Sequence, residues 1–370
     1  MNKPKVPFFD YPRLWTDDRE KLISIIDEVA STGGFIMQKA LSDFEKQISK
    51  YTGSKFCVGV GNATDGMEIF LEAIGLDSGD EIIISSHTML ATASAIKVAG
   101  GIPIPVEIGS DNLLCPDAVR NAINSRTVGI MPTQLNGRTC NMDALIKIAE
   151  KHNLFIVEDA AQALGSKFKG KNAGTFGLAS DISFFPAKVL GCLGDAGCIL
   201  VNNENLYNKI YQIHDHGRDL NGEVKSWGRN SRLDNIQAAI LNYKLQTYHN
   251  VIERRREIAL MYQERLSELE ELILPPSPDS DLDHFDVYQN YELQAEKRDD
   301  LQIFLQRNNI GTLIQWGGMA IHHFTELGFD QHLPITDQFF KKCIMLPMNI
   351  FINNSDIDYV CEKINSFYRG

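Results

Sequence analysis

A single lysine, Lys188, stands in the run SFFPAKVLGCLGDAG (183–197), where apolar and small residues and glycine dominate. Burial disfavours an ammonium and lowers its pKa, so a lysine held there becomes a neutral amine able to attack an aldehyde. A lysine in such a loop also has a plainer reading, as a chain that reaches the surface. Asp159 closes the apolar run LFIVED, and Gln162 follows three residues later. A carboxylate there can pair with a cationic ring nitrogen, or simply cap a helix. VGVGNATDGMEIFLEAI leads small residues into a helix opening near Thr64, and a helix N-terminus offers free N–H groups and positive dipole to a phosphate. It is not a dinucleotide fingerprint, because Thr64 occupies the third glycine position after Gly59 and Gly61. WGRNSRLDNIQAAIL adds a polar turn with Asn230 and Arg232. Each feature is weak alone. Together an amine, an acid and a phosphate seat are what a pyridoxal phosphate site requires.

These groups have to be brought to one edge. From 56 to 201, the β-rich runs FCVGV, EIIISS, IPIPVEI, TVGIMPT, LFIVED, DISFF and CILV alternate with helical patterns at 64–75, 88–99, 115–124 and 142–152. This predicts an α/β fold with a mostly parallel sheet covered by helices on both faces, a three-layer large domain over 1–250. Ligands of such sheets lie beyond the carboxyl ends of the strands, where the chemical residues fall. DISFF is read as a strand running to Pro186, with Ser183 at its start, and glycines 191, 194 and 197 as room for a bulky group beside Lys188. A long helix over 248–272 links to a smaller C-terminal α+β domain, 251–370, after PPSPDSD (275–281) breaks the pattern. Ser355 is read as the cap of its last helix, with Ile357, Val360, Cys361, Ile364 and Phe367 on one face.

Composition excludes several classes. With 370 residues, 44% hydrophobic and 23% charged, the chain suits a folded protein of two packed units. A net charge of −12 argues against a nucleic-acid surface. The one basic cluster, Arg254-Arg255-Arg256, reads as a solvated helix face or a subunit contact. No stretch approaches the roughly 18 apolar residues of a membrane span, so the expectation is a cytoplasmic protein. Seven cysteines show neither zinc-site spacing nor a disulfide framework. No metal is expected.

Four stretches carry a family resemblance: GNATDGMEIFLEAIGLDSGDEIIISSHTMLATASAI, NMDALIKIAEKHNLFIVEDAAQALGS, SFFPAKVLGCLGDAG and GRNSRLDNIQAAIL. The chain resembles the DegT/DnrJ family of nucleotide-sugar aminotransferases, which have the aspartate aminotransferase (fold type I) architecture. The resemblance implies that Lys188 holds pyridoxal 5'-phosphate as a Schiff base and then shuttles protons, with pyridoxamine phosphate as the intermediate form. It implies that Asp159 pairs with the ring nitrogen and Gln162 with the ring hydroxyl side. Ala63, Thr64 and Ser183 would hold the phosphate, joined by Asn230 of a neighbouring subunit in a homodimer with shared active sites. Glutamate, leaving as 2-oxoglutarate, is the implied donor, and a nucleotide-linked keto-sugar the acceptor, a 4-keto-6-deoxy sugar slightly before a 3-keto one. Met89 stands where relatives stack an aromatic residue on the ring. Trp316, His322 and His323, in IQWGGMAIHHF, and Arg218 and Arg229 are candidate substrate contacts; both arginines also suit a surface or interface. Relatives that dehydrate sugars carry histidine in place of Lys188, which disfavours a dehydratase or lyase. A non-catalytic cofactor-binding regulator is the other alternative, disfavoured because no DNA-binding extension is seen.

Overall fold

The computed structural model describes residues 5–370; residues 1–4 of the N-terminal stretch read for membrane segments lie outside it. The strands β1 (Phe56–Val60), β2 (Glu81–Ser85), β3 (Ile102–Val106), β4 (Thr127–Met131), β5 (Phe155–Ile156) and β6 (Glu158–Asp159) fall on the apolar runs read from the sequence. A short hairpin, β7 (Lys167–Phe168) and β8 (Lys171–Asn172), precedes β9 (Ala179–Ser183) and β10 (Gly197–Val201). The ladders run β3-β2-β4-β5 and β6-β9-β10-β1, and a parallel bridge between Thr133 and Asp159 joins the two halves. Only β10 in these ladders is antiparallel to its neighbours, β1 and β9. A parallel return needs a crossover, normally a helix, and the loop between Ser183 and Gly197 contains none.

All five residues of β2 are buried, and its alternation builds the layers. Ile82 and Ile84 pack with Met67, Phe70 and Ile96 of the helices Ala63–Ile74 and Leu90–Val98. Ile83 turns the other way, onto Val119, Leu145 and Ile148 of the helices Pro116–Ala122 and Met142–His152. The result is the expected three-layer α/β arrangement.

A separate core gathers Ile258, Tyr262, Leu293, Leu301, Ile344, Val360 and Ile364, and takes in Val6 from the start of the chain. It includes an antiparallel sheet of β11 (Leu272–Ile273), β13 (Tyr291–Ala295) and β14 (Cys343–Leu346), while β12 (His284–Phe285) pairs with β7. Among the described residues, no helix is long and apolar enough to cross a membrane.

Three local readings need correction. The helix Tyr248–Leu266 stops before Leu269 and Leu272, because Leu272 is drawn into β11 opposite Ala295. The cap of the helix Asn354–Arg369 is Asn353, whose side chain accepts from Asp356 N–H at 2.8 Å; Ser355 lies inside the first turn. Ser183 is the last residue of its strand and not near its beginning, so its hydroxyl lies at the carboxyl edge where the site forms.

Candidate active site

At that edge lies a cavity of about 470 Å³ lined by Ala63, Thr64, Met89, Asp159, Gln162, Ser183, Lys188 and Trp316, among others. Asn62 caps the helix Ala63–Ile74 by accepting from Asp65 N–H, and the N–H groups of Ala63 and Thr64 have no acceptor among the described residues. Gly197 lets this helix end approach β10: a Cβ there would lie 2.6 Å from the Asn62 carbonyl carbon and 2.7 Å from Ala63 N. At Gly191 a Cβ would meet the Phe185 and Pro186 carbonyls at 2.8 Å. The space beside these two glycines is therefore taken by the chain's own backbone, and none of glycines 191, 194 and 197 lines the cavity.

Asp159 is buried, and its carboxylate accepts from Thr92 Oγ1 at 2.6 Å and from Ala161 N–H at 3.2 Å. Burial raises its pKa, against the pull of Thr92, Ala161 N–H and Lys188. The Lys188 side chain opens into the cavity, so the residue is only half-buried by area, yet the protein packed around it disfavours the ammonium. Burial holds its pKa below the ordinary lysine range, opposed by Asp159 and Asp181. Among the described residues, no hydrogen bond or ion pair engages Lys188 Nζ. Gln162 Oε1 accepts from Asn136 N–H at 2.9 Å. Met89, 52% exposed, is free to lie over a ring in the cavity.

The structure does not bring every candidate to this cavity. His322 is buried between Ser86 Oγ (2.7 Å) and Asp337 Oδ1 (2.9 Å), and His323 meets the same Asp337 oxygen at 2.7 Å. Both histidines are engaged by protein groups, and neither lines the cavity. Arg229 pairs with Glu68 and Glu72, and Arg218 with Asp215. Asn230 is exposed and outside this chain's cavity. The basic cluster is not a solvated face: Arg255 is buried on the carbonyls of Tyr288 and Gln289, and Arg254 and Arg256 bind Ile352 O and Asp286 O.

Sequence reasoning missed Thr92, Asp181 and Gln289. Thr92 had a signal, since it sits four residues after Thr88, in the first turn of the helix Leu90–Val98, and the two hydroxyls meet at 2.8 Å. Asp181 pairs in register with Asp159 across parallel strands and so shares its face of the sheet; both of its oxygens are buried without a partner.

The unpaired N–H groups at the helix end, the unbonded amine and the buried carboxylate fit pyridoxal 5'-phosphate, whose phosphate, carbonyl and ring nitrogen they could respectively hold. The fold and site define a pyridoxal phosphate-dependent transferase of fold type I. More narrowly, the chain belongs to the DegT/DnrJ/EryC1/StrS aminotransferase family, whose sequence model matches residues 16–365. It is 35% identical to a pleiotropic regulatory protein of Geobacillus stearothermophilus, over 98% of this chain and 99% of that one. It is 32% identical to the dTDP-3-amino-3,4,6-trideoxy-alpha-D-glucose transaminase of Streptomyces venezuelae, over 93% and 91%. Among solved structures, DesV of S. venezuelae in complex with a ketimine intermediate superposes with a TM-score of 0.94 at 30% identity, covering 100% of both chains. NtdA of Bacillus subtilis with bound cofactor PMP gives 0.91 at 27%, covering 100% of this chain and 86% of that one. The protein is thus a nucleotide-sugar aminotransferase that uses pyridoxal phosphate.

Proposed function

We propose that the protein transfers the amino group of glutamate to the keto carbon of a nucleotide-linked deoxysugar for amino-sugar or surface-glycan biosynthesis, working as a cytoplasmic homodimer with shared active sites. One observation carries the reading: an unbonded Lys188 amine, lowered in pKa by burial, shares a cavity with a buried Asp159 and a helix end whose N–H groups are free. When bound, pyridoxal phosphate supplies a carbonyl that takes up an amino group and a ring that withdraws electrons. Lys188 Nζ would hold that carbonyl, and the same amine would take the proton from the donor's carbon and deliver one to the keto carbon of the sugar. Asp159 holds a proton on the ring nitrogen, Ala63, Thr64 and Ser183 orient the phosphate, and Met89 shields the ring from water.

The family resemblance leans slightly toward a 4-keto acceptor, whereas the name of the S. venezuelae transaminase supports C3. We favour the 3-keto sugar on that support. The homodimer is supported by a shortage of charge: among the described residues Lys188 is the only cation lining this chain's cavity, too few for a diphosphate and a dicarboxylate donor. A second copy, bringing Asn230 as a neutral donor and Arg218 as a cation on the loop that also exposes Trp227 (94% exposed), would complete the site.

The test is incubation with glutamate and a panel of 3-keto and 4-keto nucleotide sugars. An amino-sugar and an equal amount of 2-oxoglutarate are expected, most rapidly from a 3-keto substrate. Ammonia release without glutamate would instead identify a lyase, and turnover with another donor alone would remove glutamate.

A further inference from the structure

Gln289 comes from the segment just before β13, 100 residues beyond the lysine loop, and it is buried at 6% exposure. Its amide grips both neighbours of Lys188. Oε1 accepts from Val189 N–H at 2.9 Å, and Nε2 donates to Ala187 O at 2.8 Å. The amide thus reads the backbone on either side of the lysine, while Lys188 N–H itself closes a turn onto Phe185 O at 2.8 Å. A lysine root held at three points cannot swing freely.

What holds Gln289 is equally built. Arg255, on the helix Tyr248–Leu266, donates from one Nη1 to Tyr288 O at 2.9 Å and to Gln289 O at 3.1 Å. It has no carboxylate partner, and burial lowers its pKa to about 10. Burying a cation to satisfy two carbonyls is costly, so the turn it fixes has to matter. That turn is itself constrained. Tyr288 has φ 49°, and the turn packs on Gly137 so closely that a Cβ there would lie 2.7 Å from the backbone nitrogens of Tyr288 and Gln289. Val287 N–H donates to Gly137 O at 2.9 Å, next to Asn136, whose own N–H is accepted by Gln162.

We propose that Gln289, seated by Arg255, is a positioning residue that fixes the backbone of Lys188 from the C-terminal part of the chain. The segment 286–290 then links the long helix to the lysine loop on one side and to the Gln162 side of the cavity on the other. This rests on Lys188 being the amine that binds the cofactor.

The test uses the full chain with Gln289→Ala, Gln289→Glu and a control, Leu301→Val, in the second core. Amide hydrogen exchange of the 184–194 segment is read on cofactor-free protein; cofactor affinity, kcat and KM are read on loaded protein. In Gln289→Ala, exchange at Val189 should quicken at least about tenfold, because an unbonded amide exchanges readily. Cofactor should bind roughly tenfold more weakly and kcat fall roughly ten- to hundredfold with the sugar KM unchanged, as expected for a misplaced reactive group. Gln289→Glu keeps an acceptor for Val189 and loses the donor to Ala187, so exchange should stay near wild type while kcat still falls; if the alanine variant does not fold, this split carries the test. Wild-type exchange and kcat in both variants, or a loss of thermal stability alone as in Leu301→Val, overturns the proposal. Absence of a visible cofactor band in the wild type would fault the reading of Lys188 instead, with the exchange comparison still reporting on Gln289.

Discussion

Thr92 Oγ1 donates to Asp159 Oδ2 at 2.6 Å, and the same hydroxyl lies 2.8 Å from Thr88 Oγ1, which in turn lies 2.7 Å from Thr133 Oγ1. A chain of three threonines thus ends on the carboxylate assigned to the ring nitrogen. Burial works to protonate Asp159, and the Thr92 bond is the foremost influence keeping it charged. Thr92→Val removes that donor without changing shape much. A hydrogen bond to a charged group is worth about 1.5–3 kcal/mol, so kcat should fall roughly ten- to hundredfold. Thr92→Ser should restore most of it. Steady-state kinetics beside a cofactor titration of the three proteins checks this.

Lys188 ties stability to pH. Its folded pKa is lowered, so the unfolded chain binds the extra proton, and the resulting penalty shrinks as pH rises toward the ordinary lysine value of about 10.4. Cofactor-free Lys188→Met should therefore be more stable than wild type at neutral pH, with the gap closing at alkaline pH. Denaturant unfolding at several pH values measures it. In loaded protein the same substitution should abolish the visible band at about 400 nm that a Schiff-base lysine gives.

Asp181 acts with the opposite sign. Burial, helped by the charge of Asp159 and by Cys198, pushes its carboxyl well above the usual range, with Lys188 and a backbone N–H opposing. Helix Ala63–Ile74 meets it with Gly66 and β10 with Ile199, neither of which offers charge. A raised carboxyl pKa gives stability that is present below about pH 4 and lost as pH climbs through the folded value. Asp181→Val should stabilise the cofactor-free protein at pH 8 by about 1–3 kcal/mol, the usual cost of an unpaired buried polar group. That advantage should dwindle toward pH 4, as unfolding at the two extremes would reveal.

Lys188 and Asp159 were legible because each sits in or just past an apolar run, and the carboxyl ends of parallel strands converge on one edge, whereas Ser183, misread at the start of its strand, entered through the resemblance. The signal is local, and so is the structure. Gln289 reaches the cavity from about a hundred residues further along, through packing that no local pattern encodes, whereas Trp316, which also lines it, was named through the family resemblance. His322 and His323, candidates from the same stretch, lie off the cavity for the converse reason: tertiary contacts with Ser86 and Asp337, which no local pattern encodes, engage their rings. Arg255 looked like part of a charged surface run, and only the fold reveals carbonyls buried opposite it.

The same histidines, with Asp337, bring three ligand-type atoms within 4.8 Å. Their hydrogen bonds argue against a metal there. His323 Nδ1 accepts from Ala320 N–H at 3.1 Å, so its proton resides on Nε2, directed at Asp337. Coordination through Nε2 would require moving that proton to Nδ1 and breaking the backbone bond. Chelator treatment, or added zinc at modest excess, should leave activity and melting temperature unchanged; a rise in melting temperature with zinc that Asp337→Asn removes would refute this.

Gly197 is where the phosphate seat is most exposed to mutation. It opens β10, and its backbone packs on Asn62 and Ala63 with no space for a Cβ, at 2.6 and 2.7 Å. The obstructing atoms are backbone, so Gly197→Ala must push back either the strand or the helix end. The strand is held by ladders on both sides, to Val60 and to Ser183. The helix N-terminus therefore yields, carrying the Ala63 and Thr64 N–H groups away from the phosphate while leaving Lys188 and Asp159 in place. The expected result is a variant that still folds and still forms its visible band at high cofactor, but binds pyridoxal phosphate at least about tenfold more weakly, the loss of roughly one charge-assisted hydrogen bond. Pyridoxal lacking the phosphate should bind wild type and variant alike. Equal loss with both compounds would mean that the substitution disturbs the lysine pocket and not the helix end.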